Sequence, residues 1–245
     1  MKLNKLFISA VAVASMGLAS CVGDLDLQPT NPNDLTPNKF AEDPEGYMQQ
    51  AIGMLYLDFA SYGYGTDSNG SNILGSMDGG MSTFQRAIFN MQEIPSDEAN
   101  WLPSADAIPP TFQYGLIPAN DGVVMGVYSR LMVNVALANN FIQTDFGCTT
   151  DAQKTMREEF VRQAKILRGA SYYYLIDLYG NVPWADENVT IGSIPPQLSA
   201  NFAEGRRMVF DEATRELEEV VTWYKQNQPN QKAKYGYVGL DVAEA

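Results

Sequence analysis

The 245-residue chain contains no histidine. That absence removes Ser-His-Asp and Cys-His nucleophile systems, most catalytic zinc sites and the side chain that ordinarily titrates near pH 7, leaving carboxylates as the main enzymatic route. Cysteine is almost as scarce. Only Cys21 and Cys148 are present, and Cys21 stands at a processing site, so no intramolecular disulfide framework is expected. Cationic side chains are few as well: 16 Lys and Arg stand against 29 Asp and Glu, for a net charge of -13. No basic stripe exists to neutralise phosphates, which excludes nucleic acid as a partner and makes a neutral or cationic ligand easier to accept than an anionic one. A long apolar run is also missing, the stretch Leu6 to Leu18 being short for a transmembrane helix.

What is there begins with that stretch. Lys2 and Lys5 precede it, and Leu18-Ala19-Ser20 lead into Cys21, so residues 1–20 read as a lipoprotein signal peptide and Cys21 as the acylated first residue of the mature protein. Several acyl chains on one cysteine give anchoring that a single chain cannot. Residues 21–43, rich in proline and Asx, read as an extended acidic tether that hugs a surface. Residues 44–245 read as one helical domain large enough to bury a core.

Four helices follow from periodicity. Asp43 caps the first, with Pro44 at its opening position and Met48, Ala51 or Ile52, Leu55 and Phe59 as its buried stripe. The second opens at Asn120 or Asp121 and runs through Gln143, with Val124, Tyr128, Leu131, Val135, Ala138 and Ile142 on its apolar face. Thr150 and Gln153 form a capping box for the third, whose apolar side carries Phe160, Ala164, Leu167, Ser171, Tyr174 or Leu175, and Leu178. Glu158, Glu159, Arg162, Lys165 and Arg168 are assigned to its polar side, while Gly169-Ala170-Ser171 leaves a notch for a second helix backbone. Tyr172 to Tyr174 are assigned to the core, and Gly180, Asn181 and Pro183 end the helix. The fourth covers Phe202 to Gln226, burying Val209, Ala213, Leu217, Val220 and Tyr224 and turning Glu216, Glu218 and Glu219 to solvent. Helices two and three, joined by the Thr144 to Thr150 turn, are expected to form an antiparallel hairpin. Cys148 reads as a small half-buried side chain.

Two segments carry a family resemblance. The run AKILRGASYYYLIDLYGNVPW resembles the most recognisable segment of the SusD-like (RagB/SusD) family of outer-membrane nutrient-binding lipoproteins, in which an aromatic helix enters a Leu-Tyr-Gly-x-x-Pro turn. The block FQRAIFNMQEIPSDEANW, with Arg86, Phe89, Asn90, Glu93, Pro95, Asp97, Glu98 and Trp101, is similar to the corresponding segment of a starch-binding member. The resemblance implies an all-α fold, a tetratricopeptide-like array of helical hairpins with long loops, and a chain that is the N-terminal part of a longer one. It also implies an acidic signal for export to the surface at Asp24 and Asp26, as in Bacteroidota lipoproteins.

The family's sugar-holding arc implies Asp78, Arg86, Trp101 and Asp106 as ligand-binding residues. Two positions depart from its pattern: Pro103 stands where the contacting aromatic is expected, with Trp101 two residues earlier, and Asp106 stands where an Asn is expected. Tyr62, Tyr64 and Tyr114 add possible stacking faces, and Asn90 another amide for hydroxyls. The opposing reading is that Arg86 braces Glu93 or Asp97 while Trp101 is buried. The implied protein is a binding module that captures oligosaccharide at the outer-membrane surface and passes it to a TonB-dependent SusC-like transporter, without cofactor or metal. Weighed beside it are a binder of peptide or another non-sugar nutrient, and a surface glycoside hydrolase using a pair such as Asp97 and Glu98. The Asp67 to Asp78 stretch faintly resembles a calcium loop but misplaces its glycine, and a solvated polar loop is the simpler reading.

Overall fold

A computed structural model describes residues 37–60, 83–99, 112–113, 115–189, 192–229 and 236–245, with residues 37 and 38 described by backbone alone. These form helices α1 (Pro37–Glu42), α2 (Pro44–Ala60), α3 (Phe84–Gln92), α4 (Gly122–Gln143), α5 (Asp151–Tyr179), α6 (Phe202–Asn227) and α7 (Leu240–Glu244), with no β-strand among the described residues. The all-α expectation holds. The end of the segment read as an extended tether is helical instead, because Phe40 of α1 packs edge-on against Tyr47 and Phe146.

Helix ends form where local chemistry places them. Asp43 accepts from the Gly46 backbone N–H at 3.0 Å, and Asp121 accepts from that of Val123 at 2.8 Å. At α5 the capping box is complete: Thr150 Oγ1 accepts from Gln153 N at 3.2 Å, while Gln153 Oε1 accepts from Thr150 N at 3.2 Å. Gly180 ends α5 with φ +76°, and a Cβ there would lie 2.3 Å from the Phe202 ring. Only glycine fits both the backbone angle and the close approach of α6.

Helices α4, α5 and α6 run alternately up and down, each packed on the next. Arg157 reaches the Ile142 carbonyl at one end of the α4–α5 pair and Tyr179 the Val124 carbonyl at the other. Helix α2 lies across both α4 and α5, α3 packs on α2 and α4, and α7 packs on α6. Helix α4 is long and apolar enough to cross a membrane by length and composition, yet α2 and α5 cover half of it and Arg130, Asn134 and Asn139 are buried along it.

Helix α5 supplies every part of the core. Tyr172, Leu175 and Ile176 join one cluster with Phe112, Leu131 and Trp184, Ala164 and Leu167 join a second with Met48, Leu55 and Phe141, and Ile166 joins a third with Val220 and Tyr224. A helix enclosed on several sides has no continuous polar face. Arg168, expected in solvent, is fully buried, and its partner Glu216, expected on the solvated face of α6, is buried with it. The Gly169 notch explains why: a Cβ there would lie 2.9 Å from Leu217, so α6 sits close enough to cover both side chains. Glu218 and Glu219 are exposed as expected.

Each nitrogen of the buried guanidinium donates a hydrogen bond. Its Nε donates to Glu216 Oε2 at 3.0 Å, Nη2 donates to Glu187 Oε2 at 2.8 Å and to Glu216 Oε1, and Nη1 donates to Asn139 Oδ1. Burial works against the Arg168 charge, but the hydrogen bonds and fields of Glu216 and Glu187 outweigh it and hold its pKa above the ordinary value. A second buried pair joins α2 to α4, where Arg130 Nε lies 3.4 Å from Asp58 Oδ1 and donates to the Asp58 carbonyl at 2.7 Å. Here burial dominates over the Arg130 charge, and the Asp58 carboxyl is pushed up to about 6.

These pairs generate two expectations. Arg168→Met alone leaves Glu216 paired with Lys165, and Glu216→Leu alone leaves Arg168 paired with Glu187, so each should cost up to about 3–5 kcal/mol, with the double variant costing clearly less than the sum. Denaturant unfolding of all four chains measures the coupling, and simple additivity would mean that the pair does not interact. For Asp58 the folded-state pKa exceeds the ordinary 3.8, so between those values the folded state binds the extra proton and stability falls as pH rises from about 4 to about 6. Relative to Asp58→Asn, the wild type should lose about 3 kcal/mol across that window, and parallel Tm profiles for the two proteins would contradict the assignment.

Candidate functional site

The family-like block folds as α3 and the turn after it. Phe84, Ala87 and Ile88 face the core, Phe84 meeting Phe59 edge-on at 4.9 Å and Tyr174 at 5.1 Å. This fixes α3 against the bundle and holds Arg86 half-buried on the helix, with Phe89 45% exposed one turn later. Gln92 Nε2 donates to Asp177 Oδ2 at 2.8 Å and ties the end of α3 to α5. Phe89 and Tyr173 each stand about one turn before that bond on their own helices, and Tyr173 is 64% exposed.

Tyr173 corrects the assignment of the whole Tyr triplet to the core. Tyr172 is buried, stacks on Trp184 at 4.5 Å and accepts from the Ala185 backbone N–H at 2.7 Å. Tyr174 is half-buried against Phe84, with burial raising its pKa. Tyr173 points outward on α5 one turn before Asp177, as Phe89 does on α3 one turn before Gln92, so the surface around the Gln92–Asp177 hydrogen bond combines two exposed rings with amide and carboxylate. Such a set can stack on a sugar face and exchange hydrogen bonds with its hydroxyls.

Beyond α3 the chain turns sharply. Ile94 is buried, the Ser96 hydroxyl donates to the Glu93 carbonyl at 2.6 Å and accepts from Glu98 N at 3.2 Å, and Asp97 and Glu98 are left exposed. Two exposed neighbours on a turn do not form the facing carboxyl pair that glycoside hydrolysis uses. Asp78, Trp101 and Asp106 lie outside the described residues, as do Cys21, Pro103, Tyr62, Tyr64, Tyr114 and the Asp67 to Asp78 loop. Arg86 is the site residue whose place is described. No group of three or more His, Cys, Asp or Glu suited to a metal occurs among the described residues. Cys148 is half-buried, 3.9 Å from Met48 Sδ, and burial pushes its thiol up, which keeps it protonated and unreactive.

Three concavities lie away from α3. One of about 400 Å³ lies between α4 and Ala185, Val189, Gly192, Ser193 and Pro195, and one of about 440 Å³ lies between α1, α2 and α4. A third of about 760 Å³ is walled by α5, α6 and residues 237–241, where the Arg162 guanidinium covers one face of Trp223 at 3.2 Å.

No family model matches the chain. Over 186 residues, 75% of its length, the chain is 32% identical to the starch-binding protein SusD of Bacteroides thetaiotaomicron, and it covers 31% of that protein. It therefore spans about a third of the length of the curated relative that it matches.

One residue of the family-like block carries a direct test. Asn90 is fully buried, and neither its Nδ2 nor its Oδ1 has a hydrogen-bond partner among the described residues. An unpartnered buried amide costs stability, so Asn90→Leu should raise stability by about 1–3 kcal/mol in thermal or denaturant unfolding. A loss of stability instead would show that the folded protein supplies partners to the amide.

Proposed function

Because the chain belongs to the SusD-like family, we propose that it is a lipid-anchored binding protein of the cell outer membrane that captures oligosaccharide and delivers it to a TonB-dependent SusC-like transporter. Cys21 carries the anchor, residues 1–20 are the signal that directs it, and residues 44–245 form the N-terminal helical part of the binding protein. The observation that carries this reading is the likeness to a starch-binding relative. The α3 surface supports it, since Arg86 and the exposed Phe89 share α3, and the exposed Tyr173 stands on α5, to which Gln92 of α3 is hydrogen-bonded.

In this reading the protein binds and does not cleave. Trp101 gives a stacking face, Arg86 donates to hydroxyls through its planar fork, and Asp78 and Asp106 accept from them. A second reading, a peptide or other non-sugar nutrient in the same role, is favoured by one observation: Pro103 and Asp106 replace the aromatic and the amide of the family's arc. A hydrolase has less support, given the exposed and adjacent Asp97 and Glu98.

Calorimetry of the full chain against starch-derived oligosaccharides, other glycans and peptides tests the proposal. Trp101→Ala and Arg86→Ala should each weaken oligosaccharide binding by about 1–3 kcal/mol with little change in Tm, and no reducing ends should be released. Binding of peptides alone would move the ligand to the second reading. A collapsed Tm with normal binding by the remaining folded protein would place Trp101 in the core.

A further inference from the structure

Two of the concavities flank one helix. Leu137 and Asn140 of α4 border both, so the two adjoin across that turn of α4, and the pair of apolar hollows is termed the channel. Met132, Val133 and Ala136 line it beside Val189 and Pro195, and Tyr47, Gly53, Met54 and Phe146 line it beside α2. No charged side chain lines either concavity among the described residues. Met54 is 40% exposed, Leu57 43% and Ile194 92%, so the channel and its margins present apolar surface to water.

We propose that this channel is the docking site of residues 22–36 of the same chain. Three observations favour that occupant over any other. The first is position: Phe40 lines the channel, and Pro37, where α1 begins, stands one helical turn before it. The chain preceding Pro37 therefore starts at one end of the channel.

The second is length. Fifteen residues of extended chain span about 50 Å at ~3.3 Å each, whereas α4 rises only about 12 Å from Asn140 back to Met132. The reach is ample.

The third is chemistry. Leu25 and Leu27 alternate in sequence, so an extended chain turns both to one face, with Asp24 and Asp26 on the other. Pro29 and Pro32 oppose a helix. An amphipathic extended strand thus meets an uncharged apolar channel, its leucines filling the hollows and its aspartates staying in water. The carboxamides of Gln50 and Asn140 in the channel walls offer partners to its backbone. The docked segment is the whole of the chain between α1 and Cys21, so docking fixes the side of the fold that faces Cys21.

A photo-reactive residue placed at Leu27 of the full chain, with cross-links mapped by mass spectrometry, tests the placement. Links within the same molecule to residues 132–140 of α4 or 47–54 of α2 are expected. Hydrogen exchange of amides 22–36 should be slowed about tenfold or more against an unstructured reference, and restored by Leu25→Ser with Leu27→Ser or by Ala136→Asp. The tether variant leaves the helices untouched, so it reports even where the channel variant fails to fold. Free exchange in the wild type, links to another face, or links that join two molecules and rise with concentration would overturn the proposal. The last of these would make the channel an interface between copies.

Discussion

The close approach of α6 to α5 at Gly169 is the constraint on which the rest of the fold depends. With no Cβ at that position, Leu217 packs against the α5 backbone, and the seam closes over Arg168 and Glu216 together. A guanidinium so enclosed needs a partner for each of its nitrogens, and the partners come from three separate segments: Asn139 on α4, Glu187 in the loop after α5, and Glu216 on α6. One side chain therefore fixes the relative positions of two hairpins and the loop between them. Asn139 extends the link by donating to the Ala185 carbonyl at 3.1 Å, and that same loop residue bonds Tyr172.

This arrangement gives the turn after α5 its meaning. Gly180 lets the chain reverse under Phe202, Asn181 donates to the Ser199 carbonyl at 2.9 Å, and Trp184 returns to stack on Tyr172. The turn is folded back onto its own helix rather than released to solvent. The other end of α5 is held by the capping box and by Arg157. With both ends fixed, α5 is a rigid support on which α3 rests through the Phe84–Tyr174 contact and the Gln92–Asp177 hydrogen bond.

The helices and their caps were legible in the sequence because periodicity and capping are local. The sides of α5 and α6 were less so, because binary patterning assumes one apolar and one polar face, and α5 is enclosed by neighbours on several sides. Arg168 and Glu216 are charged residues at core positions, and nothing local in either sequence separates them from Glu218 or Arg162. Asp58 and Arg130 were missed for the same reason, each becoming legible only when α2 is seen across α4. The Gly169 notch was the one available clue, since a small residue beside an Arg in a long helix marks where a partner comes close. Of the candidate site, Arg86 was legible through a motif and is placed by α3, while Asp78, Trp101 and Asp106 belong to segments outside the described residues.

The tyrosine triplet shows how one support serves both core and surface. Successive residues of an α-helix are turned by about 100°, so three adjacent rings cannot share a face. Tyr172 goes inward to Trp184, Tyr174 goes sideways to Phe84, and Tyr173 is left for solvent. The inner ring ties the support together and the half-buried one carries α3, so the outer ring is held at a defined place on α5, one turn before the Asp177 that binds Gln92 of α3. A ring exposed by geometry rather than by chance, on a helix fixed at both ends, loses little freedom when a ligand stacks on it, and that preorganisation favours binding. Beside these rings the Gln92–Asp177 hydrogen bond adds an amide and a carboxylate, so the surface where α3 meets α5 carries apolar faces and polar groups together.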